Sequence, residues 1–258
     1  MLVQLFVKTL IFFLITMQVH AEPPRTIPTD LIDKFTWNGS IPVTHWYFDN
    51  TYPSSKPLRY TKKLVDDLIK KACEKRIGYY GSTDKYLYRA FDTYKDKISH
   101  KQVAIIGSVT PWYEAIVLSY QGIVTTIDYN AIYSEHPDIK TLTVSEFRKT
   151  PMTFDAVIAI SSVGHDGLGS YGDPLDPDGD FKAMNDIRKM LRPDGVLFLA
   201  VPIGKDRLFW NALRQYGVLR LPRLLQGWKT LDTFGLSKER FDRVSFSGYQ
   251  PIFVLSQE

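Results

Sequence analysis

A single cysteine, Cys73, is present among 258 residues. One thiol supports neither an intrachain disulfide framework nor a cysteine-based zinc site. No excess of one charge is available either: 32 Lys and Arg face 28 Asp and Glu, a formal net charge of +4. The basic residues form no long consecutive block, so the electrostatic footprint of a nucleic-acid binder is missing. Beyond residue 21 there is no apolar run of about 18 residues, the length that a membrane-spanning helix requires. Gly-x-Ser-x-Gly, the phosphate-binding P-loop and His-Glu-x-x-His are also absent, which removes the signatures of lipase-like, nucleotide-kinase and zinc-protease chemistry. What is present is apolar: hydrophobic residues make up 44% and aromatics 14%. That composition fills a core and excludes a disordered or fibrous chain.

Residues 1–21 carry one Lys (Lys8), then an apolar stretch, then small residues at Val19 and Ala21. This reads as a signal peptide cut after Ala21, with an uncleaved signal anchor as the alternative. Asn38-Gly39-Ser40 is a glycosylation sequon. The expectation is a glycoprotein of the secretory pathway, secreted or kept in the ER or Golgi lumen, that leaves the membrane after cleavage.

Residues 22–60 are rich in Pro and aromatics and read as an irregular extension lying on a domain. Residues 61–100 read as helical: Leu64, Val65, Leu68, Ile69, Ala72 and Cys73 recur at helical spacing, which puts Cys73 on the apolar face as a core thiol. From residue 101 to 258, strands and helices alternate. Strands are expected at 103–106, 123–127, 141–144, 156–160 and 196–201, and helices at 112–120 and from Phe181 to Leu191. Residues 208–216 read as a further helix, and 243–246 with 252–255 as a closing antiparallel strand pair. Strands separated by helices need crossovers, hence a mainly parallel, doubly wound Rossmann-like sheet. Such a sheet binds ligands beyond the carboxyl ends of its strands. Residues 107–114, 128–130 and 161–180 fall on that rim.

Gly107 lets the first strand turn into a helix whose N-terminus exposes free N–H groups. Asp128 ends the next strand, where a carboxylate accepts hydrogen bonds from a ribose diol. The order of elements, the acid after the second strand, Phe154-Asp-Ala-Val and Leu191-Arg-Pro-Asp-Gly-Val-Leu resemble class I S-adenosylmethionine-dependent methyltransferases. Gly107-Ser with Pro111-Trp-Tyr-Glu114, and the string from His165-Asp-Gly-Leu-Gly-Ser-Tyr-Gly-Asp173 to Asp180, resemble the methyltransferase-like domain of unknown function 268 family. The resemblance covers about residues 100–258. It implies S-adenosylmethionine as cofactor, with Gly107, Ser108, Glu114, Asp128 and Ser161 around it. The chain departs from the wider pattern at Ile105, where an acid is usual, and at Val109 and Pro111, where glycines are usual.

In that fold the acceptor lies above the fourth strand, so His165 would face it and act as base, with Asp166 or Asp173 orienting the imidazole. Asp173, Asp176, Asp178, Asp180 and His165 together also suggest a divalent metal, but proline turns and a helix-capping aspartate account for most of these acids, and no metal is expected. Asn211, Arg214 and Trp228 are candidates for an acceptor cleft. The leading function is methyl transfer to a small-molecule or glycan hydroxyl. The alternatives are a secreted, non-catalytic binding protein that keeps a degenerate methyltransferase fold, and a metal-dependent nucleotide-sugar transferase.

Overall fold

The computed structural model describes residues 22–51, 57–244 and 248–258. The expected signal peptide lies outside the described residues, as does part of the expected strand at 243–246. Among the described residues no helix is long and apolar enough to cross a membrane.

The strands are β1 (Val43–Trp46), β2 (Leu58–Tyr60), β3 (Gln102–Ile106), β4 (Ile123–Asp128), β5 (Ile132–Ser134) and β6 (Ile139–Thr143). They continue with β7 (Phe154–Ile160), β8 (Leu191–Ala200), β9 (Arg207–Asn211), β10 (Leu213–Gln215), β11 (Trp228–Phe234) and β12 (Ile252–Gln257). The helices are α1 (Ile32–Thr36), α2 (Lys62–Cys73), α3 (Ser82–Thr93), α4 (Trp112–Ser119), α5 (Val144–Lys149), α6 (Gly179–Met190) and α7 (Arg220–Leu224).

Seven strands form the central sheet in the order β11-β12-β8-β7-β3-β4-β6. Neighbours from β8 to β6 run parallel, and β12 is antiparallel to both β8 and β11. Successive side chains of a strand point to opposite faces, and the core divides accordingly. Val103 and Ile105 of β3, Ala156 and Ile158 of β7, and Val196 and Phe198 of β8 pack on one face with Val65, Leu87, Phe91 and Ile116 from α2, α3 and α4. Ala104, Val157, Leu197 and Leu199 pack on the other with Phe147, Met184, Ile187 and Leu224 from α5, α6 and α7. Burial on both faces is why these strands read as continuous apolar runs rather than as alternation. Helix starts are local: Thr61 caps α2, and Thr143 with Glu146 forms a capping box on α5.

The extension is tied down by hydrogen bonds. Strand β1 pairs with β9, the Phe48 amide donates to Asn211 Oδ1 at 2.8 Å, and the Trp210 indole donates to the Pro24 carbonyl at 3.1 Å. Phe35, Ile41, Leu168, Leu208 and Trp210 form a small core beneath it.

Three expectations are corrected. Residues 208–216 form β9 and β10, not a helix; Leu208, Phe209, Trp210, Asn211 and Ala212 are all buried, leaving no polar face for a surface helix. The partner of β12 is β11, while Arg243 and Val244 lie outside any strand. Cys73 is exposed, because the buried stripe of α2 runs through Val65 and Ala72 and the next residue is rotated about 100° away.

Candidate functional site

Gly107 follows β3, Asp128 closes β4 and Ser161 follows β7. All three line one cavity of about 120 Å³ with Ser108, His165, Asp166 and Asp173. The carboxyl ends of adjacent parallel strands thus meet at a single pocket, as the topology requires.

Gly107 leaves β3 at φ +73°, and a Cβ there would lie 2.9 Å from the Ser162 Cβ. The Ser108 amide then donates to Asp128 Oδ2 at 2.9 Å, and the Asn130 amide donates to Oδ1 at 2.7 Å. Asp128 therefore clamps two loops together, with the Asn130 side chain and the Tyr129 backbone also bonded to the carboxylate. Burial raises its pKa above the ordinary carboxylate value, opposed by these amides. From β2, the Tyr60 hydroxyl donates to the Ser108 carbonyl at 2.7 Å. Ser161, at φ +57°, accepts on Oγ from the Gln250 side chain at 3.0 Å.

Glu114 stands behind the cavity rather than in its wall. It is fully buried in the first turn of α4, its Oε1 accepts from the Thr126 hydroxyl at 2.8 Å, and Oε2 has no partner among the described residues. Burial pushes its carboxyl up to about 7. Ile105 is buried in the sheet and presents no polar group.

His165 is held by the backbone. Its Nδ1 lies 2.5 Å from the Ala212 carbonyl oxygen. A carbonyl only accepts, so Nδ1 carries the proton and Nε2 keeps the lone pair. Burial holds the imidazole below its ordinary pKa, and the Tyr171 ring meets it edge-on at 5.3 Å. Neither aspartate orients it. Asp173 Oδ2 accepts from the amides of Gly167 and Gly169 at 2.7 and 3.0 Å, and Oδ1 from Tyr171 at 3.2 Å, which folds the loop around the carboxylate.

Asp176 and Asp180 have partners within the fold. Asp176 pairs with Lys182. Asp180 accepts two hydrogen bonds from Arg220, at 2.9 and 2.6 Å, and one from the Tyr216 hydroxyl at 2.8 Å. Burial opposes ionisation of Asp180, yet Arg214 and Arg220 outweigh it and hold the carboxyl below its ordinary range. The residue just before α6 is Asp178; Asp180 lies inside the first turn rather than capping it. Among the described residues no cluster of three or more His, Cys, Asp or Glu side chains is placed to hold a metal ion. Asn211, Arg214 and Trp228 are buried in the fold and line neither the main cavity nor its neighbour.

Sequence reasoning missed the tyrosines. Tyr79, Tyr80, Tyr113, Tyr129 and Tyr171 all line the cavity. Asp84 sets two of them: it accepts from the amides of Gly78 and Tyr79 at 2.8 and 2.9 Å, from the Trp112 indole at 3.0 Å and from the Tyr113 hydroxyl at 3.2 Å. A buried aspartate at a helix start resembles a solvated first-turn acid in sequence, so only the Gly78-Tyr79-Tyr80-Gly81 string offered a signal. A second cavity of about 330 Å³ lies between α5 and α6, lined by Phe147, Met152 and Ile187, and shares Tyr129, Val144 and Asp166 with the first.

A family model described as Caenorhabditis protein of unknown function, DUF268, matches residues 100–249. No curated protein matches the chain. Among solved structures, the chain is similar to the Burkholderia thailandensis 1,6-didemethyltoxoflavin-N1-methyltransferase with bound 1,6-didemethyltoxoflavin and S-adenosylhomocysteine. Identity there is 16% and the TM-score 0.50, over 76% of this chain and 87% of that one. The CcbJ methyltransferase from Streptomyces caelestis is similar at 12% identity and a TM-score of 0.43, over 75% and 98% of the two chains. The first of these likenesses establishes a Rossmann-like methyltransferase fold.

Proposed function

The chain belongs to the DUF268 family, and on that premise we propose that it is an S-adenosylmethionine-dependent methyltransferase acting on a hydroxyl of a small molecule or glycan. One observation carries the proposal: the loop clamped by Asp128 and the backbone-held His165 line the same cavity. The structure of the same fold that holds S-adenosylhomocysteine supports this cofactor. The residues fit its ribose half. Gly107 leaves space that a Cβ would fill, and Asp128 lines the cavity at the end of β4. Ile105 supplies no acid for the amino end.

When bound, the cofactor supplies an electrophilic methyl group. Asp128 would accept from the ribose diol, while Ser108 and Gly107 shape the turn beneath it. His165 is neutral near pH 7 because burial disfavours its charged form. Its Nε2 would take the proton of the acceptor's hydroxyl and so leave the oxygen free to attack. Methyl transfer would thus yield a methyl ether and S-adenosylhomocysteine, with the released proton leaving by way of His165.

Calorimetry with S-adenosylmethionine and S-adenosylhomocysteine tests the cofactor directly. Micromolar binding, with His165→Ala losing roughly 10²–10⁴-fold in turnover and little cofactor affinity, supports the assignment. No binding at millimolar cofactor leaves the non-catalytic binding protein instead. We also infer the secretory route from residues 1–21. Asn38 is exposed, so a glycosidase-sensitive mass shift abolished by Asn38→Gln tests that route.

A further inference from the structure

With His165 oriented by a carbonyl and Asp173 bound to backbone amides, one acid of the site has no task in the fold. Asp166 lines the main cavity and also the groove between α5 and α6, so it stands where the two spaces meet. Its backbone carbonyl accepts from Arg214. Its carboxyl has no hydrogen-bond partner among the described residues. Asp173, Asp180 and Asp128 act on it as like charges, opposed by the Arg214 cation. That guanidinium is buried and donates to the carbonyls of Asp166, Asp176 and Pro177. Burial and then Asp173 push the Asp166 carboxyl up, disfavouring its charge in the free protein, and an entering cation would draw it back to the carboxylate.

The main cavity has the same character throughout. Its wall carries five tyrosines and three aspartates, and no Lys or Arg. Arg148 and Lys189 line the groove and not the main cavity, and both lie beside Asp186. A carboxylate or phosphate entering the main cavity would lose its water and meet acids. A cation would gain a charge-assisted bond to a carboxylate and the faces of tyrosine rings.

We propose that Asp166 recognises a cationic amino group on the acceptor, so that the substrate class is an amine-bearing alcohol with its amino group at Asp166 and its hydroxyl at His165. This assignment rests on the methyltransferase reading of the cavity. It accounts for the bare carboxyl: a partner from the fold would compete with the substrate's ammonium. It also accounts for adjacent residues of one loop serving two ends of one small molecule.

Tyramine, tyrosol and 4-hydroxyphenylacetate share a phenol ring and differ in bearing an ammonium, a hydroxyl or a carboxylate. Each is titrated by ligand-observed NMR into the full-length protein, with and without saturating S-adenosylhomocysteine. The expected result is tyramine binding at least about tenfold tighter than tyrosol, with 4-hydroxyphenylacetate weakest. In Asp166→Asn the tyramine advantage should fall below about threefold while S-adenosylhomocysteine affinity stays within about twofold. Asp166→Ala, checked by its melting curve, serves as the second variant. Equal binding of tyramine and tyrosol, no tyramine binding at millimolar concentration, or an advantage that survives both variants overturns the proposal. Loss of S-adenosylhomocysteine affinity in the variants also overturns it, because the carboxyl then serves the cofactor and the methyltransferase reading stands. Failure of the wild type to bind S-adenosylhomocysteine overturns that reading, whereas the amine preference is still read on the ligand-free protein.

Discussion

Asp128 holds two loops and, in the proposed function, meets the ribose, and Asp128→Asn separates the two. In the wild type one carboxylate oxygen accepts the Ser108 amide at 2.9 Å and the other accepts the Asn130 amide at 2.7 Å. An amide side chain offers one oxygen and one NH2, so one of those backbone donors must face another donor. A buried donor left unsatisfied costs about 1–3 kcal/mol. For a chain of this length 1 kcal/mol moves the melting temperature by roughly 2–4 °C, so the variant should melt roughly 2–12 °C lower. Burial disfavours the ionised carboxyl at this position, and the neutral amide avoids that penalty, which puts the expected drop in the lower half of the range. S-adenosylhomocysteine at about 100 times its Kd should raise wild-type stability by about 2.7 kcal/mol, roughly 5–11 °C. In Asp128→Asn most of that rise should vanish. Scanning calorimetry at pH 7, with and without the ligand, gives both numbers. A variant that melts with the wild type refutes the clamp. One that melts lower yet keeps the full ligand-induced rise refutes the ribose contact.

Burial keeps Glu114 protonated up to about pH 7, whereas its ordinary value is 4.5. The native state therefore holds a proton that the unfolded chain has released, and stability falls by about 2–3 kcal/mol as pH rises from about 5 to about 8. Glu114→Gln should flatten that fall in urea titrations at the two pH values, and a slope equal to the wild type's would refute the assignment. Arg220→Ala leaves Asp180 buried without its two-pronged partner and should cost about 3–5 kcal/mol in thermal unfolding. Arg214 at 4.0 Å and the Tyr216 hydroxyl remain beside the carboxyl, so the lower end is expected, and a loss under about 1 kcal/mol would count against the pair. Gly107→Ala should destabilise by about 1–2 kcal/mol, because φ is +73° and the new Cβ meets Ser162; an unchanged melting temperature would show that the turn tolerates a side chain.

The parts of the fold legible in sequence are those that neighbours along the chain decide. Strands β3, β7 and β8 carry runs apolar on both faces and β4 is a β-branched run, and Gly107 and Asp128 mark where two of them stop, so the rim of the site follows from strand order alone. Strands β9 and β10 were not legible, because what makes them strands is β1, whose register sets Val43 against Leu208. Cys73 misled for the opposite reason: a helical stripe frays at the helix end, and one residue past Ala72 decides between core and solvent.

The same division runs through the site and explains why the tautomer of His165 had no signature. Its orientation comes from a backbone carbonyl 47 residues away, at the turn between β9 and β10. Any residue at position 212 that held this backbone path would present the same oxygen, so no side-chain pattern there announces the partner of a base. The aspartates beside His165 were the visible candidates because carboxylates are what a sequence can show. One of them, Asp173, is turned toward its own loop. Asp166, which lines both cavities, is left with no side-chain hydrogen bond among the described residues, and that is why it is the acid we propose a substrate uses.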